Sequence, residues 1–146
     1  MIEGMHQIGE VAEAVGLSLR TIRHYEEVDL VPPSGRSAGG FRLYTDGDVD
    51  RLRLVKHMKP LDFTLEELRD LLELRDRLAG GAGDREQAGL AERLELFAAA
   101  AERRCETLRD QLGAAEAMAR TLRREARQHR PAARSEARRH RPAVRR

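Results

Sequence analysis

The sequence predicts a mainly helical fold, a winged helix-turn-helix domain followed by a long C-terminal dimerisation helix. Three observations carry this. Apolar residues recur at helical spacing on both sides of a glycine stop at Gly16. A Pro32-Pro33 pair is then followed by a Gly-rich, Arg-bearing stretch ending in FRLY. From about Glu86 to Gln128, apolar residues return at steps of three and four over a length that no single small domain needs.

Ile8, Val11, Ala12 and Val15 lie on one side of a helix two turns long. Gly16 ends it, because a residue without Cβ takes the left-handed conformation at little cost. Leu17 packs inward across the turn, and Ser18 is the N-cap of a second helix over roughly Leu19 to Val28. Leu19, Ile22 and Tyr25 or Glu26 form its inner side, with Arg20, Thr21, Arg23 and His24 outside. Two helices joined by a short turn containing Gly make the helix-turn-helix pattern. The competing reading is an ordinary helical hairpin with solvated arginines.

The two prolines stop any helical continuation. SGRSAGG is a loop, and Phe41 and Leu43 alternate with Arg42 and Tyr44 as in a short strand. This hairpin is a wing, with its apolar residues expected against the helices and Arg36, Arg42 and Tyr44 expected to reach phosphates or the minor groove. Neither the dinucleotide fingerprint nor the phosphate-loop pattern is present in the glycine-rich turn.

Thr45 caps a third helix with Asp46 and Asp48 in its first turn, and Val49, Leu52, Val55 and Met58 form its buried stripe up to Pro60. Thr64 caps a fourth in a capping box with Glu67, Phe63 stapling it to Leu68. Leu65, Leu68, Leu71, Leu72 and Leu74 or Leu78 form its apolar side.

Residues 6–79 are thus the winged domain, 80–85 a Gly-rich linker, 86–128 the long helix and 129–146 an Arg-rich tail expected to be disordered. Leu90, Leu94, Phe97, Ala101, Leu108, Ala115, Met118 and Leu122 follow heptad spacing, interrupted by Arg104 and Gln111, with Leu112 beside the stripe. So narrow a seam on so long a helix needs a partner, and the expected one is a second copy of the chain. The alternative is a helix that folds back on its own domain.

The chain has 146 residues, only 3% aromatic and 36% charged, which suits one aliphatic-cored domain with an extended element. Its formal charge of +2 conceals an asymmetry: eleven arginines from Arg120 onward face only Glu125 and Glu136, so the rest is net acidic. A nucleic-acid partner is therefore argued from local clustering of Arg20, Arg23, Arg36, Arg42, Arg51, Arg53, Lys56 and Lys59. No apolar run has membrane-spanning length, and a cytoplasmic location is the default. The single cysteine, Cys105, fits a reducing compartment and is expected to be structural rather than redox-active or metal-binding. No catalytic constellation, cofactor motif or metal-ligand set is visible, so an enzyme is not expected.

The segments TIRHYE, GGFRLYT and FTLEEL, in this order and spacing within residues 7–72, resemble the DNA-binding domain of the MerR family of bacterial transcriptional regulators. Two positions depart from the family, which usually has glycine at Asp29 and Asp62; aspartate there is tolerable at positive φ with some strain. The resemblance implies a homodimer joined by an antiparallel coiled coil that binds a palindromic promoter site, then bends and untwists it for RNA polymerase. The candidate DNA contacts are Ser18, Arg20, Thr21, Arg23, His24 and Tyr25, then Arg36, Arg42 and Tyr44 of the wing, with Lys56 and Lys59 against the backbone. The tail is a further, sequence-independent polyanion contact or a solvated extension. An architectural or recombination-accessory DNA-binding protein has the same signature, and a hetero-partner of the long helix is the other alternative. No effector-binding domain is expected after that helix, and any small-molecule effector is unknown.

Overall fold

The computed structural model describes residues 4–132; the tail from 133 to 146 lies outside the described residues. In chain order the elements are β1 (Met5–Gln7), α1 (Ile8–Val15), α2 (Leu19–Glu27), β2 (Gly35–Arg36), β3 (Arg42–Thr45), α3 (Asp46–Met58), a 3-10 turn (Lys59–Leu61), α4 (Leu65–Ala79) and α5 (Asp84–Gln128). A long helix after a winged helical domain is therefore the observed architecture. By packing, the chain divides into two compact units, one running through Cys105 and the other from Glu106 onward.

The helix ends follow local chemistry. Gly16 closes α1 at φ 76°, its amide donating to the Ala12 carbonyl. The Ser18 hydroxyl accepts from the Thr21 amide at 3.1 Å. At the head of α3, Thr45 and Asp48 satisfy each other's amides at 2.9 and 3.1 Å, a reciprocal box that leaves neither donor orphaned. The corresponding box on α4 is incomplete. Thr64 accepts from the Glu67 amide at 3.1 Å, but the Glu67 carboxylate takes the Thr64 hydroxyl instead of its amide. Asp29 and Asp62 adopt φ of 55° and 60°, the left-handed turns that glycine would make without strain.

The three strands form an antiparallel sheet in the order β1-β3-β2, with His6 opposite Tyr44 and Arg36 opposite Arg42. Beneath it one aliphatic core joins Val11 and Val15 of α1, Ile22 and Tyr25 of α2, Leu52 and Val55 of α3, and Leu68 and Leu72 of α4. Asp48 is the one charged group among the buried described residues, 2% exposed. Its carboxylate accepts from three donors: the Thr45 amide, the Ser34 hydroxyl and Arg51 at 3.2 Å.

Three placements differ from the sequence expectation. Tyr44, not Leu43, is the inward residue of β3 and is fully buried, while Phe41 is 64% exposed at the wing tip. Alternation fixes only the period; the phase comes from the core beneath the central strand. Leu19 is 40% exposed, because three residues advance only about 300° around a helix and leave it at the edge of the stripe through Ile22 and Tyr25. Finally, the apolar stripe of α5 splits. Leu90 is buried, Leu94 half-buried, and Phe97 and Ala101 pack on the winged domain's core, whereas Leu108, Ala115, Met118 and Leu122 are exposed. The proximal stretch of α5 covers the open edge of the core at Phe63, whose ring lies 6.3 Å from that of Phe97.

Candidate nucleic-acid interface

One face of α2 is buried through Ile22 and Tyr25, so helical geometry turns Arg20, Arg23 and His24 outward, and all three are exposed. Thr21 is half-buried, and its hydroxyl sits 2.8 Å from that of Ser18, pairing the two at the helix start. Tyr25 belongs to the core at 6% exposure, and burial raises its phenol pKa.

The wing is coupled to this helix by Glu26. Its carboxylate accepts from Arg42 on one oxygen and from Arg36 at 3.2 Å on the other. The pair with Glu26 raises the Arg42 pKa further, so this cation is permanent. Arg36 also donates to the Gly40 carbonyl at 3.0 Å. The loop is closed by Ser37, whose amide donates to the Phe41 carbonyl at 2.8 Å and whose hydroxyl accepts from the Phe41 amide at 3.1 Å. Gly40, at φ 81°, makes that reversal possible. Thus α2, which carries Arg20, Arg23 and His24, is joined through one carboxylate to Arg36 and Arg42 on the two wing strands. The sequence does not reveal this role of Glu26, because its partners lie 10 and 16 residues away.

The remaining basic candidates divide. Lys59 is exposed. Lys56 is half-buried and donates to the Val15 carbonyl at 2.7 Å, so it caps the C-terminal end of α1 rather than reaching outward. Arg51 binds Asp48 and, at 2.5 Å, Asp76; Arg53 pairs with Asp50 at 3.3 Å. Tyr44 is a correction: burial raises its pKa and encloses its hydroxyl, which has no hydrogen-bond partner among the described residues. A phenol held inside the core cannot touch phosphate.

Among the described residues no helix is long and apolar enough to cross a membrane. Among the described residues, an open groove of about 510 Å³ lies between Pro32–Ser34 and the α3/α4 pair.

Residues 7–74 match the family described as MerR HTH family regulatory protein. The transcriptional regulator ZntR of Escherichia coli K12 is 42% identical over 71 residues, 49% of this chain and 50% of that protein. The mercuric resistance operon regulatory protein of Bacillus cereus is 44% identical over 71 residues, 49% of this chain and 54% of its own. The chain spans about half the length of the curated relatives it matches. Among solved structures, that of MtaN, the Bacillus subtilis multidrug transporter activator N-terminus, aligns with 83% of this chain and 97% of its own at TM-score 0.50 and 29% identity. That of HiNmlR, a MerR family regulator lacking the sensor domain and bound to promoter DNA, aligns with 84% of this chain and 87% of its own at TM-score 0.55 and 25% identity. The matched residues 7–74 and the winged arrangement built around them make this part of the chain a MerR-type helix-turn-helix domain.

Proposed function

We propose that the chain is a DNA-binding transcriptional regulator that acts as a homodimer on palindromic promoter DNA and distorts it, with RNA polymerase as the machinery it influences. The observation that carries this is the exposed Arg20, Arg23 and His24 face of α2 standing beside Arg36 and Arg42, which Glu26 holds in the wing. A helix presenting cations to the major groove and a hairpin presenting cations to the flanking backbone divide the work between base readout and positioning. The likeness to a solved family member bound to promoter DNA supports the same reading.

On this reading residues 6–79 form the DNA-binding unit, the residues from 80 up to the start of α5 the joint, and α5 the arm, whose stretch from Glu106 onward does the pairing. The arm's exposed seam through Leu108, Ala115 and Leu122 supports pairing, since exposed apolar faces of this length are normally covered. Selection of bound sequences from a random DNA pool tests the whole: an enriched motif with twofold symmetry is expected. Enrichment of a single asymmetric half-site, or of none, overturns it.

A further inference from the structure

Beyond Glu106 the apolar side of α5 is open to solvent: Leu108, Leu112 and Leu122 are 42%, 60% and 57% exposed, and Ala115 and Ala119 are exposed between them. These five positions recur at steps of four, three, four and three, the spacing of a coiled-coil seam. The alternative line through Arg104, Gln111 and Met118 is broken at its start, because Arg104 is turned to its own domain over the Phe63 ring. Met118 accordingly lies on the flank of the seam, not in it.

We propose that Arg109 and Glu116 select one antiparallel register in which this face pairs with the same face of a second copy. Leu108 then faces Ala119 of the partner subunit and Leu112 faces Ala115 of the partner subunit, with the twofold axis level with residues 113 and 114. The proposal rests on the homodimer reading above and adds the residues that choose the alignment.

Size and charge agree on this register. Its two central layers, each made twice by symmetry, set a leucine against an alanine, so the two helices approach closely there, while Leu122 falls opposite Cys105 of the partner subunit. Arg109 and Glu116 follow Leu108 and Ala115 by one residue and therefore share a flank of the helix. In an antiparallel pair this flank meets its own copy, and the register brings Arg109 to Glu116 of the partner subunit, twice by symmetry. The opposite flank brings Gln111 to Met118 of the partner subunit, with no charge on either side.

Sliding by one heptad loses both agreements. In one direction Arg109 meets Arg109 of the partner subunit while leucine stacks on leucine. In the other Glu116 meets Glu116 of the partner subunit while alanine stacks on alanine. A parallel pair in register stacks leucine on leucine at 108 and 112 and alanine on alanine at 115 and 119, so it loses the size match. Like charges at such flanking positions set partner choice and orientation in coiled coils.

The test is sedimentation equilibrium of the full chain carrying Arg109→Glu, Glu116→Arg, or both, with circular dichroism to verify that helix content is retained. Each single substitution is expected to raise the dimer dissociation constant about tenfold, and the double substitution to bring it back to within about threefold of the parent, because the pairs are re-formed with charges exchanged. Single variants that dimerise as tightly as the parent, or a double variant no tighter than the singles, overturn the register and leave the homodimer standing. A parent chain that sediments as a monomer removes both.

Discussion

Glu26 of α2 accepts Arg42 and Arg36 of the wing at the same time, so a carboxylate sits inside the surface proposed to meet a polyanion. Its side chain is only 21% exposed, which keeps it from acting as a bare negative charge towards solvent. Its effect is geometric: it fixes where two guanidinium groups stand. Glu26→Ala is therefore expected to leave non-specific DNA affinity equal or higher while the ratio of specific to non-specific binding falls about threefold to tenfold. Competition titrations with operator and random duplexes measure that ratio, and an unchanged value refutes the positioning role.

Arg23 is exposed on the outer face of α2 and bears no part of the core. Arg23→Ala is expected to cost about 1–3 kcal/mol of operator binding with an unaltered melting temperature. Equal affinity in parent and variant argues against α2 as the reading element.

Tyr44→Phe separates a buried phenol from a DNA contact. Removing a hydroxyl that is enclosed without a partner is expected to change stability by less than about 1 kcal/mol, in the stabilising direction, with DNA affinity unchanged. A clear loss of affinity on this substitution restores Tyr44 to the interface.

His6 bonds Asp46 at 2.6 Å and lies 3.8 Å from Glu10, tying β1 to the first turn of α3. The hydrogen bond to Asp46 raises the His6 pKa above its ordinary 6.5. Because the folded value is the higher one, this clamp contributes fully below pH 6.5 and is lost as pH rises through the raised folded value. Denaturant midpoints measured from pH 5 to 9 are expected to show this decline in the parent and not in His6→Gln; parallel curves remove the clamp.

Arg104 lies over Phe63 with its guanidinium carbon 4.0 Å from the ring centroid, and donates to the Leu61 carbonyl at 3.0 Å. Arg104→Ala is expected to lower unfolding stability by about 1–2 kcal/mol, the sum of a cation–π contact and a hydrogen bond. Urea titration of the full chain decides, with no change in midpoint as the contrary result.

Much of the winged domain is legible in the sequence because its elements are bounded by local chemistry. Gly16, Ser18, Thr45 and Thr64 act within a few residues of themselves, and each stands at the helix end that its residue type implies. β1 is not legible, since three residues give too short an alternation to read. Nor is the inward turn of Tyr44, which the neighbouring strands and core decide. Lys56 looks like a phosphate ligand until its reach to Val15, 41 residues away, is seen. The heptad spacing of α5 announces a covered face but not what covers it: Phe97 and Ala101 lie on their own domain, while Leu108 and Leu122 remain open.

The buried carboxylate of Asp48 joins the chain at Ser34, Thr45 and Arg51, the places where the hairpin departs, returns and gives way to α3. The hairpin's root cannot fray without breaking hydrogen bonds to this buried side chain of α3, so hydrogen exchange there should track the opening of α3 rather than that of a surface loop. Much of the ordering entropy of this appendage is then spent during folding, before any duplex arrives.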